Sequence, residues 1–153
     1  MHKPYFKKEE GQPKSLHCKV KRTVRFEEVD PLQVVWHGRY ASYFEDARVA
    51  LGEKYGIGYL TLSSNGILTP IKSMHVDFHL SIKFQEEFTI EAILHWSEAA
   101  RMDMEYIIRN SVNDITATGF TIQMMLDTDF KTYMLQPPFF RDFCERWKAG
   151  KFQ

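Results

Sequence analysis

The chain has 153 residues and a mass of 18.1 kDa, with 44% hydrophobic and 26% charged residues, enough for one domain that buries a core without disulfides or a structural metal. No apolar run approaches the roughly 18 residues that a bilayer span needs, and residues 1–10 lack the apolar core of a secretory signal, so a transmembrane or secreted protein is not expected. Formal net charge is zero, but eight Lys or Arg against two Glu leave residues 1–25 at +6 and the rest of the chain at −6; an acidic body excludes a protein that coats nucleic acid.

Residues 1–17 form a basic, polar arm with Pro4, Gly11 and Pro13, expected to be ordered only through contact with another surface. Its charge suits a solvated tail or the phosphates of a small ligand. The domain is expected over 18–153. A first strand begins at Cys18, with Val20, Val24 and Phe26 on one face and Lys19, Lys21, Thr23 and Arg25 on the other. Residues 27–31 then read as a turn, because Asp30 and Pro31 both favour one.

Tyr40, Tyr43, Phe44, Ala47 and Leu51 recur at helical spacing, and Gly56 and Gly58 stop that helix after Tyr55. Its apolar stripe is broad and aromatic, so it should be wrapped rather than laid on one edge. Alternation returns at Met74, Val76, Phe78 and Leu80; at Phe88, Ile90, Ala92, Leu94 and Trp96; and at Met102, Met104, Tyr106 and Ile108. After an Asn113-Asp114 turn, Thr116, Thr118, Phe120, Ile122, Met124 and Leu126 share one parity. Pro137 and Pro138 open a short C-terminal helix that buries Phe139, Phe140, Phe143 and Trp147. The order predicts an α+β domain, with one long helix against a five-stranded antiparallel sheet whose edge strand is open to a partner chain. Cys18 and Cys144 have no metal-ligand spacing; they read as small packed groups and suit a reducing cytoplasm.

Chemistry concentrates in residues 28–48. Asp30 stands in a turn seven residues before His37, at the start of the aromatic helix. The first N–H groups of a helix lack internal partners and carry the positive end of its dipole, so they can receive charge developing on a carbonyl oxygen. A carboxylate held across from them can activate water or attack the carbonyl itself. Taken singly, Asp-Pro is a turn dipeptide, His37 a cap or packed ring, and Trp36 a core residue.

Together, Asp30-Pro31, Val34-Val35-Trp36-His37, Tyr40 and Phe44-Glu45-Asp46-Ala47-Arg48 resemble the 4-hydroxybenzoyl-CoA thioesterase branch of the hotdog-fold acyl-CoA thioesterases, over roughly residues 18–130. The resemblance implies a hotdog fold, a five-stranded antiparallel sheet wrapped round the long helix, and hydrolysis of an acyl-CoA or acyl-carrier-protein thioester. It implies Asp30 as general base or nucleophile, amides near His37 and Gly38 polarising the carbonyl, and the His37 side chain orienting carbonyl or water. Trp36, Tyr40 and Glu45 become candidate substrate-binding residues, and Arg101 the nearest candidate for CoA phosphates, beside Lys72, Lys83 and the arm. No metal or bound cofactor is implied beyond the CoA of the substrate. The partners implied are that substrate and further copies of the chain, as a homodimer or homotetramer with the active site at a subunit interface. Two departures stand out: Gln33 replaces a common Gly, which is expected to alter the turn holding Asp30, and Arg39 replaces a common Asn.

Alternatives on the same scaffold are an acyl-thioester dehydratase using His37 with Asp30, and an acyl-CoA or acyl-carrier-protein binding module without hydrolysis. His75, Asp77 and His79 resemble a metal comb, but strand residues four apart lie about 13 Å apart, too far to share one zinc. They read as an outer or interface face.

Overall fold

Alternation of large apolar residues builds the sheet, and one aromatic helix fills its concave side. The computed structural model describes residues 2–152. The elements are β1 (Leu16–Thr23), α1 (Tyr40–Tyr55), α2 (Tyr59–Ser64), β2 (Ile71–Phe78), β3 (Glu87–His95), β4 (Arg101–Asn110), β5 (Ile115–Met124) and α3 (Pro138–Lys148). All strand pairs are antiparallel, in the order β1-β3-β4-β5-β2, so one side of β1 and one side of β2 are edges. This is the hotdog arrangement.

Phe88, Ile90, Ala92 and Leu94 of β3 and Met102, Met104, Tyr106 and Ile108 of β4 are all buried beneath α1, as their alternation predicts. The Phe44 ring stacks on Tyr106 at 4.3 Å between centroids, and Tyr43 packs on Phe88 at 4.7 Å. Each such buried aromatic stabilises the fold by about 1.5–3 kcal/mol through area alone. α1 ends where Gly56 takes φ +75° and its N–H bonds to the Gly52 carbonyl, a left-handed cap that glycine adopts at no steric cost. In α3, Phe140, Phe143, Cys144 and Trp147 are buried, and Trp147 Nε1–H donates to the Lys14 carbonyl at 2.8 Å. Burial pushes the Cys144 thiol up to about 12, so it packs as a neutral group.

Several expectations change. β1 takes in Leu16 and stops at Thr23, so Phe26 is not on its apolar face; Phe26 lies in a 3-10 turn and is 79% exposed. The short α2 carries too little periodicity to stand out in sequence. In β5 the apolar parity faces outward. Ala117, Gly119, Thr121 and Gln123 are the buried inner positions, because the Phe44 ring needs the space over Gly119. Phe120 instead faces the arm, which answers the question of what orders it: residues 2–14 lie across the chain's own outer sheet face. Phe6 packs on Phe120 and His95, Tyr5 bonds to Asp77 and Thr118, and His2 Nε2 bonds to Glu105 at 2.6 Å.

His75 and Asp77 are half-exposed neighbours on that outer face, and His79 bonds Thr118. Among the described residues no three His, Cys, Asp or Glu side chains are grouped to hold a metal, and no helix is long and apolar enough to cross a membrane.

Candidate active site

The Asp30 turn is a small hairpin. Val29 bridges Val35, Asp30 N–H donates to the Val34 carbonyl at 2.9 Å, and Gln33 N–H donates to the Asp30 carbonyl at 2.9 Å. Asp30 Oδ1 accepts the Leu32 N–H at 2.8 Å, an Asx turn. Its other oxygen has no protein partner among the described residues. Gln33 has φ +61°, so the turn keeps the left-handed conformation that glycine prefers, and the expectation that Gln33 would alter it does not hold. The cost of that conformation is about 1 kcal/mol.

The hairpin is tied to α1 from below. Glu28 Oε2 accepts the Tyr43 O–H at 2.6 Å and the Arg25 N–H at 3.1 Å, while the Glu28 carbonyl accepts the Trp36 N–H at 2.9 Å. Burial, and then the neighbouring Glu28 carboxylate, raise the Tyr43 hydroxyl well above its ordinary value, so it stays a donor. Sequence reasoning passed over Glu28 and gave Tyr43 only a packing role; the signal was that a buried tyrosine hydroxyl needs a partner. Arg39, the other departure, donates from Nη2 to the Glu27 carbonyl at 2.9 Å.

A 3-10 turn at His37–Arg39 leads into α1. Arg39 N–H bonds to the Trp36 carbonyl at 2.9 Å, whereas the His37 and Gly38 N–H groups have no acceptor among the described residues. The Trp36 indole lies directly over Gly38, where any Cβ would overlap it. Tyr40 is buried against Phe78 at 4.8 Å between ring centroids, and burial pushes its hydroxyl up to about 12. His37 is exposed and its ring packs beside Trp36 at 5.0 Å, with no hydrogen bond to Asp30.

Glu45 lies one turn further along α1 and is paired with Arg48, which is only 8% exposed and sits over the Tyr59 ring at 3.9 Å. Glu45 and Arg48 line a groove of about 530 Å³ between α1 and β2, together with Ala41, Phe44, Met74 and Tyr106. The structure thus brings Asp30, Trp36, His37, Gly38 and Tyr40 to one end of α1, with Glu45 in the adjoining groove. It does not bring Arg101 there. Arg101 starts β4, opposite Met124, at the other end of the sheet from the Val34–Lys83 bridge that anchors the Asp30 hairpin. Its guanidinium is ion-paired with Asp103, Nη2 donating to Oδ2 at 3.0 Å.

The comparisons with known proteins agree with this architecture. Residues 24–146 match the model of the thioesterase-like superfamily. A curated Bacillus subtilis (strain 168) protein named "Putative acyl-CoA thioesterase YneP" is 20% identical over 117 residues, covering 76% of this chain and 85% of its own. Among solved structures, the DHNA-CoA thioesterase from Staphylococcus aureus superposes with a TM-score of 0.77 at 26% identity, covering 88% of this chain and 93% of its own. The 1,4-dihydroxy-2-naphthoyl-CoA thioesterase Slr0204 from Synechocystis does so with 0.73 at 16% identity, covering 84% and 96%. With the family model spanning most of its length, the hotdog sheet around α1 and the motif at the start of that helix, this chain belongs to the thioesterase-like superfamily and is a thioester hydrolase.

Proposed function

We propose that the chain hydrolyses an acyl-CoA or acyl-carrier-protein thioester to the free acid and thiol at the start of α1. The carbonyl oxygen of the thioester lies against the unpartnered His37 and Gly38 N–H groups, which stabilise the charge that develops on it. Asp30, with one carboxylate oxygen uncommitted, acts as general base on water or as nucleophile on the carbonyl carbon. In either route the C–S bond breaks with the thiolate leaving, and one water is consumed to give the free acid, directly in the first and by hydrolysis of the acyl–Asp30 anhydride in the second. Trp36, stacked over Gly38, walls the carbonyl site, and Tyr40 buttresses the helix start beneath it. Glu45, held by Arg48, lines the groove beside it. The reaction in this form calls for no metal and no bound cofactor; CoA enters as part of the substrate.

The observation that carries the reading is the pair of free amides at the helix entry, with the Asp30 hairpin tied to that helix through Glu28 and Tyr43. Nothing favours the dehydratase alternative, because His37 and Asp30 share no hydrogen bond.

The reading includes self-association. β2 pairs β5 on one side only, and along it Ile71, Met74 and Phe78 are 45–54% exposed. Addition of a second copy along this edge, in a homodimer or homotetramer, roofs the groove between α1 and β2. Arg101 reaches CoA only if a partner subunit presents it.

The test is thiol release, followed with a disulfide reagent, over a panel of acyl-CoA and acyl-carrier-protein substrates. Asp30→Asn is expected to keep the fold and lower kcat by about 100-fold or more. Unchanged turnover in that variant removes Asp30 from the mechanism, and enoyl product without thiol moves the chain to the dehydratases.

A further inference from the structure

The two halves of the proposed site come from different stretches of chain. The hairpin carries Asp30, and the turn that enters α1 carries the His37 and Gly38 amides. Hydrolysis requires the carboxylate and the oxyanion donors to meet one carbonyl at a fixed separation, and a displacement of about 1 Å can cost about 100-fold in rate. Groups that fix that separation govern the rate without touching the substrate.

Glu28 joins the two halves. It lies two residues before Asp30. Its carbonyl accepts the Trp36 N–H at 2.9 Å, and Trp36 directly precedes His37. Its carboxylate Oε2 accepts two donors, the Arg25 N–H at 3.1 Å and the Tyr43 O–H at 2.6 Å. The first closes the 3-10 turn Phe26–Glu28, and the second crosses to α1. Among the described residues this is the single side-chain hydrogen bond from α1 to residues 24–36.

Tyr43 is a fixed post for that bond. It is 3% exposed, with its ring against Phe88 of β3 at 4.7 Å and Tyr40 at 5.8 Å between centroids, so the core holds its hydroxyl in place. The other ties run elsewhere. Val35 N–H donates to the Ile82 carbonyl at 2.9 Å and Phe84 N–H to the Gln33 carbonyl at 3.1 Å, which hold the returning strand of the hairpin to residues 82–84. The Asx turn at Leu32 stays within the hairpin tip. Arg39 reaches the Glu27 carbonyl at 2.9 Å from the entry turn, at the surface, where water competes for the bond. The tie from the Asp30 strand into the core is one carboxylate and one phenol.

We propose that Glu28 and Tyr43 are positioning residues for thioester hydrolysis: their hydrogen bond sets where the Asp30 carboxylate stands relative to the His37 and Gly38 amides, so its loss acts on kcat through Asp30 and little on substrate binding. The inference rests on the hydrolase reading above. Both bonds to the Glu28 carboxylate use one oxygen, so the arrangement needs an acceptor in that place and not a charge.

The experiment measures kcat and KM by thiol release, with the acyl-CoA that the native chain turns over fastest, and thermal melts alongside. The variants are Tyr43→Phe, Glu28→Ala, Glu28→Gln, Asp30→Asn and the Tyr43→Phe/Asp30→Asn double variant. Tyr43→Phe keeps the ring packing and loses only the O–H; its kcat is expected to fall by about tenfold or more, with KM within about threefold. Glu28→Ala is expected to match it, and stands in for it should Tyr43→Phe melt below the assay temperature. Glu28→Gln offers an amide oxygen to both donors and is expected to restore kcat to within about threefold of the native value. A residue that acts through Asp30 has nothing left to position once that carboxylate is gone. The double variant is therefore expected within about threefold of Asp30→Asn, whereas a merely structural role multiplies the two losses. Native kcat in Tyr43→Phe, a loss confined to KM, no rescue by Glu28→Gln, or multiplied losses in the double variant overturns the proposal. If Asp30→Asn keeps full turnover, or no acyl-CoA is cleaved, the hydrolase reading at Asp30 fails and takes this inference with it. Full turnover in Tyr43→Phe beside a crippled Asp30→Asn overturns this inference alone.

Discussion

The outer face of the sheet and the entry to α1 hold similar groups in opposite conditions. Under the arm, the Glu105 carboxylate is almost fully buried and accepts hydrogen bonds from His2 at 2.6 Å and His95 at 2.8 Å, while Asp77 is bonded by Tyr5 and His75. Burial acts to raise the Glu105 carboxyl, but the two histidines outweigh it and hold the group below its ordinary value. At the entry to α1 the half-buried Asp30 carboxylate has an oxygen to spare, and two amides have no acceptor among the described residues. Five of the six histidines lie on the outer face, where titratable groups are gathered. Those groups have already satisfied one another, and a satisfied network holds structure together. Chemistry needs hydrogen-bonding capacity left unspent, and the helix entry is where this fold leaves it.

The sharpest way to break that contrast is to remove one carboxylate from each region. Asp30→Asn is expected to cost about 100-fold or more in kcat, as above, whereas Glu105→Gln leaves kcat within about threefold and acts on stability alone. Steady-state thiol release alongside thermal melts separates the two; a large kcat loss in Glu105→Gln with an unchanged melt reverses the assignment.

A second test compares the two faces of β5. Adding one methyl on the inner face, Gly119→Ala, drives Cβ into the Phe44 ring and the His75 carbonyl, and should destabilise the chain by about 2–3 kcal/mol in urea unfolding. Thr118 on the outer face instead meets the arm, its hydroxyl bonded to Tyr5 and to His79.

The arm itself should respond to acid. Because the folded carboxyl of Glu105 lies below its ordinary value of 4.5, its contribution is present above that pH and is lost as pH falls through the lower folded value. Protection factors of residues 2–14, which take out the intrinsic slowing of amide exchange in acid, are expected to drop below about pH 4.5 in the native chain. The drop is expected to be smaller in Glu105→Gln, where Asp77, held below its ordinary value by Tyr5 and His75, still titrates under the arm. Arm protection unchanged down to pH 3 would remove Glu105 as the latch.

The smallest effect is expected at the active-site turn. Gln33→Gly relieves the left-handed strain at φ +61° but loosens the unfolded chain, for a net gain of about 0–1 kcal/mol with turnover preserved. A loss of 1 kcal/mol or more would mean that the Gln33 side chain holds the hairpin by a contact beyond its backbone.

Much of the fold was legible in residue order. The α1 stripe of Tyr40, Tyr43, Phe44, Ala47 and Leu51, its stop at Gly56, the inner parities of β3 and β4, and the Pro138 start of α3 all follow from periodicity and end signals within a dozen residues. The motif from Asp30 to Arg48 pointed to the end of α1, where the structure gathers those residues. Arg101, however, looked like part of the same site only while the chain was read as a line. The unspent amides and the Glu28–Tyr43 tie had no local signature.

Alternation along β5 marks the strand without saying which of its sides faces inward. Two layers cover this sheet, α1 within and the arm with its Tyr5 and Phe6 rings without, and a period of two cannot say which residues meet which layer. By itself the amino-acid sequence determined the kinds of element, their order and the place of the reactive motif, because turns, caps and periodicity act between neighbours. Only the tertiary structure decided which face of β5 is inward, where the basic arm lies and that Gln33 keeps a glycine-like backbone. Each of these is settled by contacts between residues distant in the chain, whose combined packing and hydrogen bonding outweigh a local preference of about 1 kcal/mol.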